Sequence, residues 1–261
     1  MTQEIKRKFM LGEGDNYNVY IRLSEEYSSQ EKMTAGICAS HRAFVVLLNK
    51  ENQNKIEYPI TVEEFEAMLT LGASLKHLPE TEQKLEIERK FLIKPLTEEL
   101  KNSAYMVKEI EQSYLADSDN YVVRIRTSNE FDSEQDRKMG ICKKSQAYLT
   151  IKQKIGGIAR PEYEFTIPVG DAHKLISQER TAVAKIRYCV KSKEKLVWEL
   201  DDYKQKNEGL FTGEIEIPTV DTEFEKPDYI LEEVTDDKKY SSHSLSNKPF
   251  KSWKKSSIKL K

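Results

Sequence analysis

Charged and apolar side chains alternate in several short stretches of the chain. Residues two apart point to the same face of a β-strand, so each stretch has one charged face and one apolar face. One such strand indicates only a half-solvated antiparallel sheet. Seven within about 130 residues predict a closed antiparallel barrel with a polar interior. The stretches are Glu86-Ile-Glu88-Arg-Lys90, Arg124-Ile-Arg126, Thr150-Ile-Lys152, Glu162-Tyr-Glu164, Lys185-Ile-Arg187, Glu199-Leu-Asp201 and Glu214-Ile-Glu216.

The rest of the pattern predicts a mainly β (α+β) fold with peripheral helices. A short helix is expected after Pro95, where Thr97-Glu-Glu is typical of a helix start, and a second one at 170–180. Residues 129–145 are polar and predict a loop, and 221–237 predict helical or irregular structure. Eight strands favour an antiparallel barrel, because closure removes exposed edges. They are expected near 85–94, 109–116, 120–128, 146–155, 161–168, 181–190, 194–203 and 211–218.

An internal repeat precedes this set of strands. Four segments recur in the same order: Glu4–Leu11 as Glu86–Ile93, Lys32–Cys38 as Lys138–Cys142, Ala43–Leu48 as Ala147–Lys152, and Glu57–Ile60 as Glu164–Ile167. The sequence therefore predicts a β-rich partial repeat with a helix at 62–71, followed by a complete module. The predicted divisions are a repeat at 1–75, a linker at 76–84, a module at 85–246 and a basic tail at 247–261.

The first copy lacks charges that the second copy has. Glu88, Arg124 and Lys152 of the second copy correspond to Lys6, Tyr20 and Leu48. We expect the first copy to be non-catalytic and to act in packing or oligomerisation, so that a homodimer through it is one possibility.

Composition narrows the class of partner. The net charge of -2 argues against a general attraction for nucleic acid, so any anion must be bound by a local cluster of Lys and Arg. The chain has neither a membrane-length apolar run nor a signal-peptide core, and its three cysteines are scattered, which together predict a cytoplasmic protein. Six lysines and no acidic residue after Ser246 predict a disordered tail, with contact to an anionic partner as the alternative.

The complete module resembles a known family. Glu86-Ile-Glu-Arg-Lys90 resembles the Glu-x-Glu-x-Lys signature of the CYTH superfamily, also called the triphosphate tunnel metalloenzymes. Further segments follow in the order of that family, over about 85–246. They are Gln112-Ser-Tyr114-Leu, Tyr121-Val-Val-Arg124-Ile-Arg126, Ala147-Tyr-Leu-Thr150-Ile-Lys152, Glu162-Tyr-Glu164, Lys185-Ile-Arg187-Tyr, Trp198-Glu199-Leu-Asp201, Gly209-Leu-Phe-Thr-Gly-Glu214-Ile-Glu216 and Tyr240-Ser-Ser-His-Ser-Leu245.

The resemblance implies an eight-stranded tunnel that binds a linear triphosphate with Mg²⁺ or Mn²⁺ and hydrolyses a phosphoanhydride. Glu162, Glu164 and Lys90 are the catalytic candidates, and one of the two glutamates could bind a second metal or orient the attacking water. The metal ligands implied by the resemblance are Glu86, Glu88, Glu199, Asp201, Glu214 and Glu216. The implied triphosphate-binding residues are Lys90, Arg124, Arg126, Lys152, Lys185 and Arg187.

The chemistry of these residues agrees with that reading. Arg offers paired donors for phosphate oxygens, Lys offers a point charge, and carboxylates suit Mg²⁺. The resemblance, with which this chemistry agrees, implies hydrolysis of inorganic tripolyphosphate to pyrophosphate and phosphate. Thiamine, nucleoside or RNA triphosphatase and class IV adenylyl cyclase remain alternatives within the superfamily. A binding sensor of polyphosphate or nucleotides, with no hydrolysis, is an alternative of another class, although so many carboxylates argue against a pure binder.

Overall fold

The computed structural model describes residues 9–23, 43–60, 87–119, 121–153, 162–179 and 182–253. Thirteen strands within these ranges form one sheet, and all of their pairings are antiparallel. The strands are β1 (Phe9–Glu13), β2 (Tyr17–Leu23), β3 (Ala43–Asn49), β4 (Lys55–Ile60), β5 (Ile87–Ile93), β6 (Met106–Asp117), β7 (Tyr121–Phe131), β8 (Lys144–Gln153), β9 (Glu162–Thr166), β10 (Val183–Lys191), β11 (Val197–Tyr203), β12 (Phe211–Ile217) and β13 (Ile230–Glu233).

Short helices lie between some of these strands. In the described ranges they are α1 (Glu98–Asn102), α2 (Glu134–Met139), α3 (Val169–Gln178) and α4 (Ser242–Asn247), with 3₁₀ turns at Gln205–Asn207, Lys238–Tyr240 and Phe250–Ser252. The predicted start of α1 is confirmed, because the Thr97 hydroxyl accepts a hydrogen bond from the Leu100 N–H at 3.2 Å. Within the part of the chain that the structure describes, every helix is too short or too polar to cross a membrane. The predicted helix at 62–71 and linker at 76–84 lie outside the described residues.

The order of the strands corrects the prediction of a closed barrel. The main path runs β13-β5-β12-β11-β10-β6-β7-β8-β9, and β1 to β4 branch from β6. Over the described residues, β9 pairs only with β8, and the outer edge of β5 is taken by β13 through Ile230 opposite Ile93. Strand β13 was not predicted, since residues 221–237 were expected to be helical or irregular. The fold is mainly β as predicted, but its hydrogen-bonded sheet does not close on itself among the described strands.

The apolar residues that alternate with the charged ones form a hydrophobic core on the opposite face of the sheet. Tyr188, Trp198, Leu200 and Ile215 alternate with the charged residues of β10 to β12 and are buried with Phe91 of β5 in one apolar cluster. Burying such large side chains is the main favourable contribution to folding. One face of these strands thus stabilises the sheet and leaves the other to polar chemistry.

The four N-terminal strands repeat the pairing of β6 to β9. Tyr20 lies opposite Val46 as Arg124 lies opposite Thr150, and Val46 lies opposite Glu57 as Thr150 lies opposite Glu164. A register shift occurs after Met10 in β1 and after Tyr114 in β6. Strand β1 therefore occupies the place of β6, whereas the sequence comparison had aligned Glu4–Leu11 with β5. The register of β1 to β4 thus parallels that of β6 to β9, and the internal repeat itself stays a prediction.

Strands β1 to β4 are joined to strands β6 to β9 where β1 meets β6, a contact that we call the seam. Glu13 of β1 pairs with Asp117 of β6, and the Ser118 hydroxyl donates a hydrogen bond to the Leu11 carbonyl at 2.8 Å. A Cβ added to Gly14 would lie 1.8 Å from the Leu115 carbonyl oxygen, so only glycine fits there. Apolar residues of both regions and of α3 form one buried cluster, which includes Leu11, Ile21, Val45, Leu115, Val123, Ile125, Leu149 and Leu175.

Two further segments differ from their predictions. Residues 129–145 are not a loop: β7 extends to Phe131, α2 follows, and β8 begins at Lys144. Helix α2 is held by Glu134, which is 2% exposed and paired with Arg137 at 2.7 Å. The start of the expected disordered tail is ordered, since Trp253 stacks on Tyr240 and its indole N–H donates to the Lys248 carbonyl at 2.9 Å. Residues after Trp253 lie outside the described ranges.

Candidate active site

Antiparallel register brings the acidic strands together with a cationic one. Across β5 and β12, Lys90 lies opposite Glu214 and Glu88 lies opposite Glu216. Glu199 of β11 lies opposite Glu214, and Asp201 lies opposite Arg187 of β10. These residues recur at every second position, so their side chains share one face of the sheet.

The same face continues onto three more strands. Strand β6 contributes Gln112 and Tyr114, which lie opposite Arg126 and Arg124 of β7. Strand β8 contributes Thr150 opposite Arg124, and Lys152 pairs with Glu162 of β9. Carboxylates thus dominate β11 and β12, β5 provides Glu88 and Lys90, and β7 provides two arginines.

The sheet is curled so that its distant strands face each other. Strand β5 is four pairing steps from β6, about 19 Å in a flat sheet. Lys90 nevertheless lies close enough to Tyr114 for its charge to act on the tyrosine pKa. The 3₁₀ turn Lys238–Tyr240 and helix α4 contact both strands: Lys90 Nζ donates to the Tyr240 carbonyl at 3.4 Å, and the ring of His243 in α4 packs edge-on against Tyr114 with 4.7 Å between centroids.

The acidic half of the face is a network of buried ion pairs. Arg187 is 8% exposed, and its Nε and Nη2 donate to the two oxygens of Asp201 at 2.7 Å each. The same guanidinium also donates to Glu199 and Glu214. Lys185 pairs with Asp201, and Lys90 Nζ lies 2.6 Å from Glu214 Oε1. Buried charges require such partners, because an unpaired one is strongly unfavourable.

The charges shift the pKa values of neighbouring groups. Burial acts to raise the pKa of Glu214, but Lys90 and Arg187 outweigh it and hold that pKa well below its usual range. The Glu88 side chain is in contact with solvent, but many protein atoms of the neighbouring strands surround its carboxylate. The resulting desolvation, and in second place repulsion from Glu214, raise the pKa of Glu88 to about 7. Glu214 is therefore ionised through its cation partners, while Glu88 resists a second negative charge beside it.

The cationic half of the face is held by a smaller network. Arg124 is 4% exposed, and its Nη2 donates to the Thr150 hydroxyl at 3.0 Å. That hydroxyl donates to Glu164 at 3.3 Å, and Arg124 lies 3.5 Å from the same carboxylate. Glu164 therefore touches the arginine that we expect to bind phosphate, which suits a carboxylate acting beside the substrate.

The predicted site residues fall into three groups. Those with described side chains on the shared face are Glu88, Lys90, Arg124, Arg126, Lys152, Glu164, Lys185, Arg187, Glu199, Asp201, Glu214 and Glu216. Glu162 is placed by its backbone opposite Lys152, and its side chain lies outside the description. Glu86 lies outside the described residues altogether.

Sequence reasoning gave no role to three residues that line this region. Gln112 is buried, and its Nε2 donates to the Tyr114 hydroxyl at 3.0 Å, which places an amide and a phenol beside the arginines of β7. His243 contacts Tyr114 and lies 3.2 Å from Asp117. A search for charged pairs misses Gln112 and Tyr114 because they are neutral, although they also stand two residues apart.

The carboxylates of this face fit a hard divalent cation in their chemistry. Glu88 and Glu216 lie directly opposite each other, an arrangement of like charges that is unfavourable without a compensating cation. Oxygen ligands of this type are those that Mg²⁺ and Mn²⁺ prefer. Across the described residues, however, no three metal-binding side chains are already grouped around one point. The ion pairs of this face account for this in part, because Lys90 and Arg187 hold Glu214.

Fold and site together define an antiparallel β protein with a curled face divided between carboxylates and cations. A family model for the CYTH domain matches residues 84–248, and the chain belongs to this family.

Two similar proteins and one similar crystal structure are described as inorganic triphosphatases. The chain is 35% identical to an inorganic triphosphatase of Acetivibrio thermocellus over 157 residues, which are 57% of this chain and 99% of that protein. It is 29% identical to an inorganic triphosphatase of Nitrosomonas europaea over 164 residues, 61% of this chain and 95% of that protein. A crystal structure of an inorganic triphosphatase matches 62% of this chain and 93% of its own, with 26% identity and a TM-score of 0.43.

Proposed function

We propose that this protein is a metal-dependent hydrolase of linear triphosphates, with inorganic tripolyphosphate as its favoured substrate. The observation that carries the proposal is the division of one curled face into an acidic half and a cationic half. A linear triphosphate complexed with a divalent cation has the matching division, since its phosphate oxygens need cations and its metal needs carboxylates. Membership of the CYTH family and the similarity to two inorganic triphosphatases support the same activity.

The cationic residues of the face would bind and align the phosphate chain. Arg124 and Arg126 offer paired donors from β7, and Lys90 and Lys152 offer point charges from β5 and β8. Lys185 and Arg187 lie deeper, paired with Asp201, and would neutralise charge from β10. Phosphoryl transfer is catalysed mainly by positioning and charge neutralisation, so this chemistry requires no nucleophilic side chain.

The acidic residues would hold the metal ion. We expect Glu88, Glu214 and Glu216 to bind it together with Glu86, and Glu199 and Asp201 to lie near it. Mg²⁺ or Mn²⁺ would neutralise charge on the phosphate oxygens and assist activation of water. Glu164, in contact with Arg124, is our candidate for orienting the attacking water, and Glu162 at the start of β9 is the alternative.

Phosphate release tests this function directly. The purified protein would be incubated with tripolyphosphate, ATP, thiamine triphosphate and pyrophosphate, each with Mg²⁺, with Mn²⁺ or with excess EDTA. We expect rapid release from tripolyphosphate, slower release from the organic triphosphates, and none with EDTA. Binding of tripolyphosphate without any release in the presence of either metal would contradict the proposal and favour a sensor.

A further inference from the structure

The residues expected to bind two different ligands bind each other in the structure. Lys90 and Arg187, both assigned to phosphate, pair with Glu214, which is assigned to the metal. Arg187 also pairs with Glu199, and both Arg187 and Lys185 pair with Asp201. Three cations and three carboxylates thus satisfy one another on β5, β10, β11 and β12.

This network balances without either ligand. Lys90, Lys185 and Arg187 contribute three positive charges, and Glu199, Asp201 and Glu214 contribute three negative ones. A divalent cation that took Glu214 alone would leave Lys90 without its carboxylate and add two positive charges to a buried cluster. A triphosphate that took Lys90 alone would add several negative charges beside Glu214. Each ligand by itself therefore has to break ion pairs that are already formed around Glu214.

When metal and triphosphate bind together, neither Lys90 nor Glu214 is left without a partner of opposite charge. A metal bound to Glu214 releases Lys90 and one donor of Arg187, and the phosphate oxygens then provide their new partners. Arg187 keeps its two hydrogen bonds to Asp201 throughout, so β10 and β11 stay joined while Glu214 changes partner. Lys90 is the residue with most to exchange, because its ammonium lies 2.6 Å from Glu214 Oε1 and its other hydrogen bond, to the Tyr240 carbonyl, is long at 3.4 Å.

We propose that metal and triphosphate bind to this protein by exchanging ion-pair partners, with the Lys90–Glu214 pair as the contact that couples them. The proposal rests on the proposed function, since it takes the metal and the triphosphate from it. Coupling of this kind makes each ligand bind more tightly when the other is present, and its usual size corresponds to roughly 5- to 150-fold in affinity.

Metal binding without any triphosphate tests the exchange. The affinity for Mn²⁺ alone would be measured on the intact chain by the loss of the free Mn²⁺ electron paramagnetic resonance signal. We expect Lys90→Met to bind Mn²⁺ at least roughly fivefold more tightly than the unmodified protein, because Glu214 loses one competitor. Lys90→Arg keeps the charge but holds the carboxylate with more donors, so it should bind Mn²⁺ more weakly.

A control variant separates exchange from a simple change in net charge. Arg126→Met also removes one positive charge from the shared face, but from β7, and should alter Mn²⁺ affinity by no more than about twofold. Equal effects of Lys90→Met and Arg126→Met would overturn the proposal, as would unchanged Mn²⁺ affinity in Lys90→Met.

Triphosphate binding without metal provides the second arm. Glu214→Gln frees Lys90 and Arg187, so it should bind tripolyphosphate in EDTA more tightly than the unmodified protein in calorimetry. Weaker or equal binding would contradict the exchange even if Lys90→Met failed to fold. The outcomes also distinguish the two proposals: a protein that hydrolyses tripolyphosphate but shows no change in Lys90→Met keeps its function and loses the exchange. A protein that hydrolyses nothing but shows tighter binding in Glu214→Gln keeps the exchange.

Discussion

Strands β1 to β4 and strands β6 to β9 have the same pairing register and opposite chemistry. The positions that hold Arg124, Tyr148 and Thr150 in the second set hold Tyr20, Phe44 and Val46 in the first. Tyr20, Phe44 and Val46 form an apolar cluster, whereas Arg124 and Thr150 form a hydrogen-bonded network with Glu164. The other face of both sets remains apolar and lies in one common core.

This difference distinguishes the features that form the sheet from the side chains that form the candidate site. Backbone pairing and one apolar face are sufficient for the strands to form, since both sets have them. Side chains on the remaining face can change from charged to apolar without altering the register. Under the proposed function, the catalytic capacity of the second set rests on few positions, and the first set offers a control for the positions compared above.

The largest effect should come from removing a metal-binding carboxylate. We expect Glu216→Gln or Glu88→Gln to lower turnover of tripolyphosphate by at least roughly a hundredfold, since even partners outside the ligand set are worth 10- to 100-fold. Glu86→Gln should behave in the same way. Steady-state phosphate release would measure the effect, and circular dichroism would verify the fold.

The matched control lies in the first set. Glu57 occupies the position equivalent to Glu164, so Glu57→Gln should retain turnover while Glu164→Gln loses it. A large loss in Glu57→Gln with a normal fold would show that β1 to β4 take part in catalysis, and the contrast drawn above would fail.

A smaller effect is expected at Arg126 of β7, for which the equivalent Arg22 of β2 is the control. Arg126→Ala should lower kcat/KM for tripolyphosphate about ten- to hundredfold, the usual loss for one charge-assisted hydrogen bond. Arg126→Lys should recover part of it, because a point charge replaces paired donors. Arg22→Ala, at the equivalent position of β2, should leave kcat/KM unchanged in the same assay. Similar losses in ATP and tripolyphosphate hydrolysis would place Arg126 at the phosphates, and a loss confined to ATP would place it at the nucleoside.

Stability should respond at the seam between the two sets. Gly14→Ala places a methyl group against the Leu115 carbonyl and should lower the free energy of unfolding by about 1–3 kcal/mol. Gly170→Ala lies in α3 with open space around it, so it should be neutral or stabilise the chain by up to about 1 kcal/mol. Denaturation in urea would compare the two variants. Equal stability of the two would mean that the close approach at Gly14 does not exist in solution.

The smallest effect should come from a cross-link across the seam. A Cβ on Gly12 would lie 3.2 Å from the Cβ of Ala116, slightly below the range of disulfides, so a small shift would allow a bond. With Cys38 and the exposed Cys142 replaced by serine, the Gly12→Cys/Ala116→Cys variant should form an intrachain disulfide and keep its turnover. Non-reducing electrophoresis would show a monomer. A disulfide-linked dimer would instead assign the seam to contacts between two chains.

Several strands of the fold, and which charged residues share a face, could be predicted from periodicity, whereas the roles expected of those residues came from the family resemblance. The charged pairs placed β5, β7, β10, β11 and β12 correctly because a residue's side in a strand depends only on counting by two. Which side chains meet could not be predicted in the same way. That Lys90 faces Glu214 depends on register between strands about 120 residues apart, and a shift of one residue would put Lys90 on the other face.

Three differences from the predictions have a common physical cause. The loop expected at 129–145 contains α2, which is tied to β6 by the Arg137 guanidinium donating to Glu109 at 3.0 Å rather than by an apolar face. Strand β13 has only four residues and pairs with β5 across a long separation in sequence. The predicted repeat aligned Glu4–Leu11 with β5 by residue identity, which takes no account of the register shift that β1 shares with β6. Each depends on a distant partner that a local pattern does not contain.

The seam between β1 and β6 also sets an order of events during synthesis. Ser118 and Leu11, which it joins, are 107 residues apart, and α3, which completes their common core, ends at Gln178. A ribosome adds about 5–20 residues per second. The apolar face of β1 to β4 is therefore synthesised on the order of ten seconds before the strands and the helix α3 that pack against it. During that interval the nascent chain displays Val19, Ile21, Val45 and Leu47 without cover, a surface that chaperones bind and that promotes aggregation.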